Sequence, residues 1–115
     1  LYTYEKKVYK LAAKLENPET PPEEKLELLE IFSFVNDDRA NQAVAKNVLD
    51  PNPEVRERAI WLAVDLKLGA IRPNLEVLAQ NDPSRRVRLA AKEALRSLKG
   101  APAQGAQPTV LDKKK

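Results

Sequence analysis

The segment Asp50-Pro51-Asn52-Pro53-Glu54-Val55-Arg56, followed by Ala59, recurs 32 residues later as Asp82-Pro83-Ser84-Arg85-Arg86-Val87-Arg88, followed by Ala91. Leu66 and Leu98 obey the same offset. Self-similarity at this period marks helical pairs stacked side by side, because one pair cannot bury its apolar stripe without a neighbour. The chain is therefore expected to be all-α: a short α-solenoid of about two and a half helical pairs, with an N-terminal capping helix.

The spacing and breaker residues place six helices. Tyr4, Val8, Leu11 and Leu15 fall on one helical face, and Asn17-Pro18 stops that helix. Thr20-Pro21-Pro22-Glu23-Glu24 reads as a helix start with Thr20 as its cap, the prolines near the first turn and the acids at the positive helix end. The second helix is predicted over 22–34. Asp37-Asp38 caps a third, reaching Leu49, with Ala40, Val44 and Val48 inward. Helix four is predicted over 54–68, burying Val55, Ala59, Leu62, Ala63 and Leu66, with Gly69 as its left-handed terminator. Helix five, over 71–80, turns Ile71, Leu75 and Leu78 inward. Helix six, over 84–99, buries Val87, Ala91, Ala94, Leu95 and Leu98, and Gly100 closes it. Residues 1–100 thus form one domain, and 101–115, rich in Pro, Gly, Gln and Lys, read as a flexible basic tail in which Val110-Leu111 is a candidate anchor.

At 115 residues the chain has room for one modest core. It contains no cysteine and no histidine, which removes disulfides, the usual zinc sites, Cys-based or Ser-His nucleophiles and a histidine pH switch. No apolar run approaches the roughly 18 to 20 residues that cross a bilayer. The missing cysteines fit a reducing cytoplasm and an oxidising exterior alike, so compartment stays open. A start at Leu1 reads as an excised domain or a processed product. Net charge is +3, unevenly spread: residues 1–50 carry seven basic against ten acidic residues, and 51–100 carry ten against six.

Asp-Pro, three residues, Val-Arg, two residues, Ala, with a shorter helix after a glycine, resembles the HEAT-like repeats of the phycobilisome-lyase type. A degenerate copy precedes the two full ones: an offset of 31 carries Pro22-Glu23-Glu24-Lys25 onto Pro53-Glu54-Val55-Arg56, and Leu28, Ile31, Phe32 and Val35 onto Ala59, Leu62, Ala63 and Leu66. The resemblance covers residues 20–99. It implies a scaffold that binds proteins along a concave or edge surface. Some relatives of this type are chromophore lyases, iron-dependent hydroxylases or DNA glycosylases, and the hydroxylases' His-Glu metal motif has no counterpart here. Helix six lacks a following partner helix, so the tail or another chain is expected to cover its open side.

Three groups of residues are candidates for partner binding. Trp61 aligns with Glu30 and Glu93, Val64 with Ser33 and Arg96, and Leu68 with Asn36 and Gly100. An apolar stripe at 61, 64 and 68 where sister positions are polar points to a contact surface, with Phe34 a weaker member. The competing reading is that Tyr2, Tyr4 or Tyr9, or the tail, covers Trp61. The second group is the basic face of helix six, Arg88, Lys92, Arg96 and Lys99 behind Arg85 and Arg86, which meets either solvent, an acidic protein or phosphates. The recurrence of Arg56 and Arg88 after their turn aspartates also fits a ladder that bonds adjacent repeats. The third group lines the inner helices: Arg39, Gln42 and Lys46, then Arg72, Glu76 and Gln80. No pair of carboxylates stands as acid and base. The expected function is a non-catalytic, cofactor-free protein-interaction module of a larger assembly. Nucleic-acid binding through helix six is the alternative.

Overall fold

The computed structural model describes residues 2–98, with side chains from Tyr4 onward; the domain boundary expected at 100, Lys99, Gly100 and the 101–115 tail lie outside the described residues. The described residues form α1 (Tyr2–Glu16), α2 (Pro22–Phe32), α3 (Asp38–Lys46), α4 (Pro53–Asp65), α5 (Arg72–Asn81) and α6 (Arg85–Ser97). Single 3₁₀ turns, Asn47–Leu49 and Gly69–Ile71, follow α3 and precede α5. No strand occurs among them. α2, α4 and α6 pack in succession as one layer, α1 packs chiefly on α3, and α5 packs on α6. The result is the all-α repeat architecture read from the sequence, a slab of 45 × 33 × 18 Å whose short dimension fits two layers of helices. No helix of the described residues is long and apolar enough to span a membrane.

Local chemistry fixes most helix starts where expected, whereas α2 and α3 end at Phe32 and Lys46, short of the predicted 34 and Leu49. Asn52 Oδ1 accepts from the N–H groups of Glu54 and Val55 at 2.9 and 3.1 Å, and Pro53 opens α4. Asp37 caps α3 through the N–H of Arg39 at 2.8 Å, and Ser84 caps α6 through that of Val87. These caps satisfy donors that have no partner inside the helix. One alternating seam of Val, Leu, Ile and Ala runs through all six helices, from Val8, Ala12 and Leu15 to Val87, Ala91, Ala94 and Leu98. Its alanines let neighbouring helices approach closely at little entropic cost.

Further expectations are corrected, among them Leu66, which is half-buried rather than buried. Thr20 does not cap α2, whose N-cap is Pro21; its hydroxyl donates to the Lys14 carbonyl at 2.7 Å and closes α1 instead. Tyr4 is exposed rather than inward. Ile31, aligned with the buried Leu62, is 47% exposed. Helix four ends at Asp65, three residues early. Lys67 itself takes the left-handed conformation, with φ 59°, while Gly69 sits in the following 3₁₀ turn. The Lys67 N–H bonds to the Val64 carbonyl at 3.0 Å and the Leu68 N–H to the Ala63 carbonyl at 2.9 Å, the Schellman pattern of a helix C-terminus. That pattern folds the residue after the left-handed position back onto the last turn. Leu68 is accordingly 4% exposed and part of the core, not of an outer stripe.

Candidate functional site

The repeats are tied by a ladder of buried cation–carboxylate rungs. Arg56 Nε and Nη2 each donate to an Asp82 oxygen at 2.8 Å, a bidentate pair, while its Nη1 donates to the carbonyls of Asp50 and Pro51 at 2.9 Å. One repeat earlier Lys25 Nζ pairs with Asp50 Oδ1. Both carboxylates also accept a backbone N–H two residues on, Asn52 at 2.9 Å and Ser84 at 2.8 Å. Burial would raise the Asp82 carboxyl. The Arg56 bonds, the Ser84 N–H and the charges of Arg56 and Arg88 outweigh it and hold Asp82 below the ordinary carboxylate value. The ladder expected at Arg56 is thus present; Lys25 was aligned with Arg56 in sequence, but the change of residue type concealed that it does the same work.

A second ion pair removes one candidate from the binding surface. Arg39 clamps Glu16 at 2.6 and 3.1 Å and lies 5.8 Å over the Tyr9 ring. Bonding from Arg39 lowers the Glu16 carboxyl, and the same bond raises the guanidinium. Arg39 therefore joins α1 to α3 instead of facing a partner, and Tyr9 is spent on Arg39 rather than on Trp61. Lys46, 3.7 Å from Glu16, keeps most of its side chain in solvent. Arg72, half-buried at the start of α5, is also engaged internally. The cleft beside these residues, about 240 Å³, is lined by Asp38, Asn41, Gln42, Ala45, Leu68, Ala70 and Ile71.

The outer stripe shrinks to Trp61, 37% exposed, and Val64, half-buried. Phe34 is the larger exposure: 88% of it meets solvent at the turn that follows α2. With Ile31, Val35, Glu27 and Glu30 it lines a groove of about 530 Å³. Phe34 was aligned with polar positions in the sequence, but Ile31 was hidden by its alignment with a core residue.

Three basic residues of α6 have partners within the chain, although Arg86 and Arg96 keep most of their side chains in solvent. Arg86 pairs with Glu57 at 3.2 Å and Arg96 with Glu93 at 3.4 Å, and Arg88 Nη1 donates to the Asp82 carbonyl at 2.8 Å. Lys92 is exposed in the register that holds Leu29 in α2 and Ile60 in α4, both buried between helices. A lysine there makes this position of α6 polar where α2 and α4 hold buried apolar residues. Comparison with family models, with curated proteins and with solved structures finds no match, so function is argued from this geometry alone.

Proposed function

We propose that the chain is a non-catalytic protein-interaction module of the HEAT-like type, with the Phe34 groove as its principal contact surface. The observation that supports this most is the exposure of Phe34 beside the exposed Ile31: Phe34 is the most exposed of the large apolar side chains among the described residues, ahead of Tyr9, Val77, Leu49 and Leu89. An exposed phenylalanine gains about 1.5–3 kcal/mol when a partner covers it, and aromatic anchors of this kind dominate binding interfaces. Glu27 and Glu30 border the groove. They favour a partner segment that places an apolar anchor between basic residues. Trp61 and Val64 are a second, smaller apolar exposure, on α4. The internal pairing of Arg86, Arg88 and Arg96 leaves α6 a weaker phosphate surface than its sequence alone implies.

The test is a selection of binding peptides from a random display library against the immobilised chain, followed by titration with variants. Phe34→Ser is expected to weaken the dominant binders at least about 30-fold, equivalent to about 2 kcal/mol, with the fold intact by circular dichroism. Unchanged affinity for Phe34→Ser and Ile31→Ser alike would remove the groove from the reading.

A further inference from the structure

The ladder ends in half a rung on each side of the described array. Arg88 repeats the backbone half of the Arg56 arrangement: its Nη1 donates to the carbonyls of Asp82 at 2.8 Å and Pro83 at 3.4 Å, as Arg56 Nη1 does to those of Asp50 and Pro51. In Arg56 the remaining edge, Nε and Nη2, grips Asp82. Among the described residues no carboxylate bonds to that edge of Arg88, whose planar fork matches one. At the other end, an offset of 31 carries Glu19 onto Asp50, and a further 32 carries it onto Asp82. Glu19 is exposed, and among the described residues no cation pairs with it. Pro21 stands where the other two turns hold Asn52 and Ser84, so Glu19 also lacks the backbone N–H that Asp50 and Asp82 accept. One side of the array thus presents a rung's cation and the other a rung's carboxylate.

The seam between α4 and α6 shows how such a contact continues. Glu57 of α4 pairs with Arg86 of α6 at 3.2 Å. One turn further along each helix Ile60 and Ala90 are buried, and beyond them Ala63 and Ala94. The repeat offsets carry the α4 side of this seam onto α6 and the α6 side onto α2. Ile60 and Ala90 then become Lys92 and Glu27, both exposed and of opposite charge. Ala63 and Ala94 become Leu95 and Ile31, a half-buried and an exposed apolar side chain. The two sides therefore match at three successive levels: cation to carboxylate at Arg88 and Glu19, charge to charge at Lys92 and Glu27, apolar to apolar at Leu95 and Ile31. Leu95 also lies between Lys92 and Arg96, the apolar anchor with basic neighbours that the Phe34 groove favours.

We infer that the chain self-associates head to tail: the Arg88 side of α6 in one copy docks on the Phe34 groove of the next, with Arg88 on Glu19, Lys92 against Glu27 and Leu95 on Ile31. This rests on the groove being a contact surface and names a second copy as its occupant. Two different surfaces meet, so the contact is heterologous and either repeats along a filament or closes into a ring. Each junction adds the rung that joins successive repeats inside one chain.

Sedimentation velocity of the full chain tests this. The expected result is a sedimentation coefficient that rises with concentration up to about 1 mM and falls as salt screens the contact. Glu27→Lys alone, or Lys92→Glu alone, sets like charges across the seam and is expected to weaken association at least about tenfold. An equimolar mixture of these two variants has opposite charges at every junction and is expected to associate as the unsubstituted chain does, which a loss of folding could not produce. Glu19→Gln is expected to weaken association about tenfold by taking the carboxylate from Arg88. Association that ignores Glu27→Lys and Lys92→Glu, or that mixing fails to restore, overturns the inference. So does a chain that stays monomeric throughout; peptide binding that still depends on Phe34 would then leave the groove standing as a contact surface, and binding that does not would remove both.

Discussion

Replacing Arg56 with methionine isolates the energetics of the ladder. The substitution keeps much of the side-chain volume but strands an Asp82 carboxylate whose side chain is 2% exposed, and leaves the Asp50 and Pro51 carbonyls without their donor. Breaking one partner of a buried pair costs about 3–5 kcal/mol, since the remaining charge is neither solvated nor paired. A domain of this size is stable by only about 5–15 kcal/mol, so the loss is a large share of the total. With a urea dependence of about 2 kcal/mol per molar, the unfolding midpoint should fall by about 2 M. The Arg56→Met, Asp82→Asn double variant should recover at least about 1 kcal/mol of the loss, because the stranded charge is gone. Disruption of the exposed Arg96–Glu93 pair, at 3.4 Å on the surface of α6, should cost no more than about 0.5 kcal/mol. Urea titration of these three variants beside the unsubstituted chain decides the matter: a single Arg56→Met loss below about 1 kcal/mol would refute the claim that the rungs join the repeats.

Other outcomes follow from the same geometry. Lys67→Gly should stabilise the chain by about 0.5–1 kcal/mol in thermal or urea unfolding, because Lys67 holds φ 59° against its Cβ; no gain would contradict the helix end described. Asp82 and Glu16 have lowered carboxyl values when folded, so their contribution is complete above the unfolded carboxylate range and is lost as pH falls through the folded values. Stability should therefore drop below about pH 4, and a rise on acidification would oppose this assignment. Phe34→Ser should change stability by less than about 0.5 kcal/mol, whereas Leu68→Ala should cost about 2–5 kcal/mol; similar values for the two would reverse their placement outside and inside the core.

The repeat and most helix starts were legible because they rest on local chemistry. Pro53 and Asn52 start α4, Asp37 starts α3, and the Ala and Leu periodicity picks out most of the buried positions. Leu68 was not legible: no glycine marks the left-handed turn at Lys67, so continuing the helical period carried Leu68 onto the outside. Ile31 misled for a different reason. Its alignment with Leu62 is sound, but burial depends on what packs against a position, and Ile31 stays 47% exposed where Leu62 is buried. Arg39 read as an offered cation because its partner Glu16 stands 23 residues away, on another helix. Pairings of this range depend on how helices stack, which no local pattern contains.

Mapping amide chemical-shift changes across the chain as a selected binding peptide is titrated in tests the central claim most directly. The account predicts that the largest changes cluster at Ile31, Phe34 and Val35, with smaller ones at Glu27 and Glu30. Changes centred on Lys92 and Arg96 of α6, with the Phe34 amide unmoved, would contradict it.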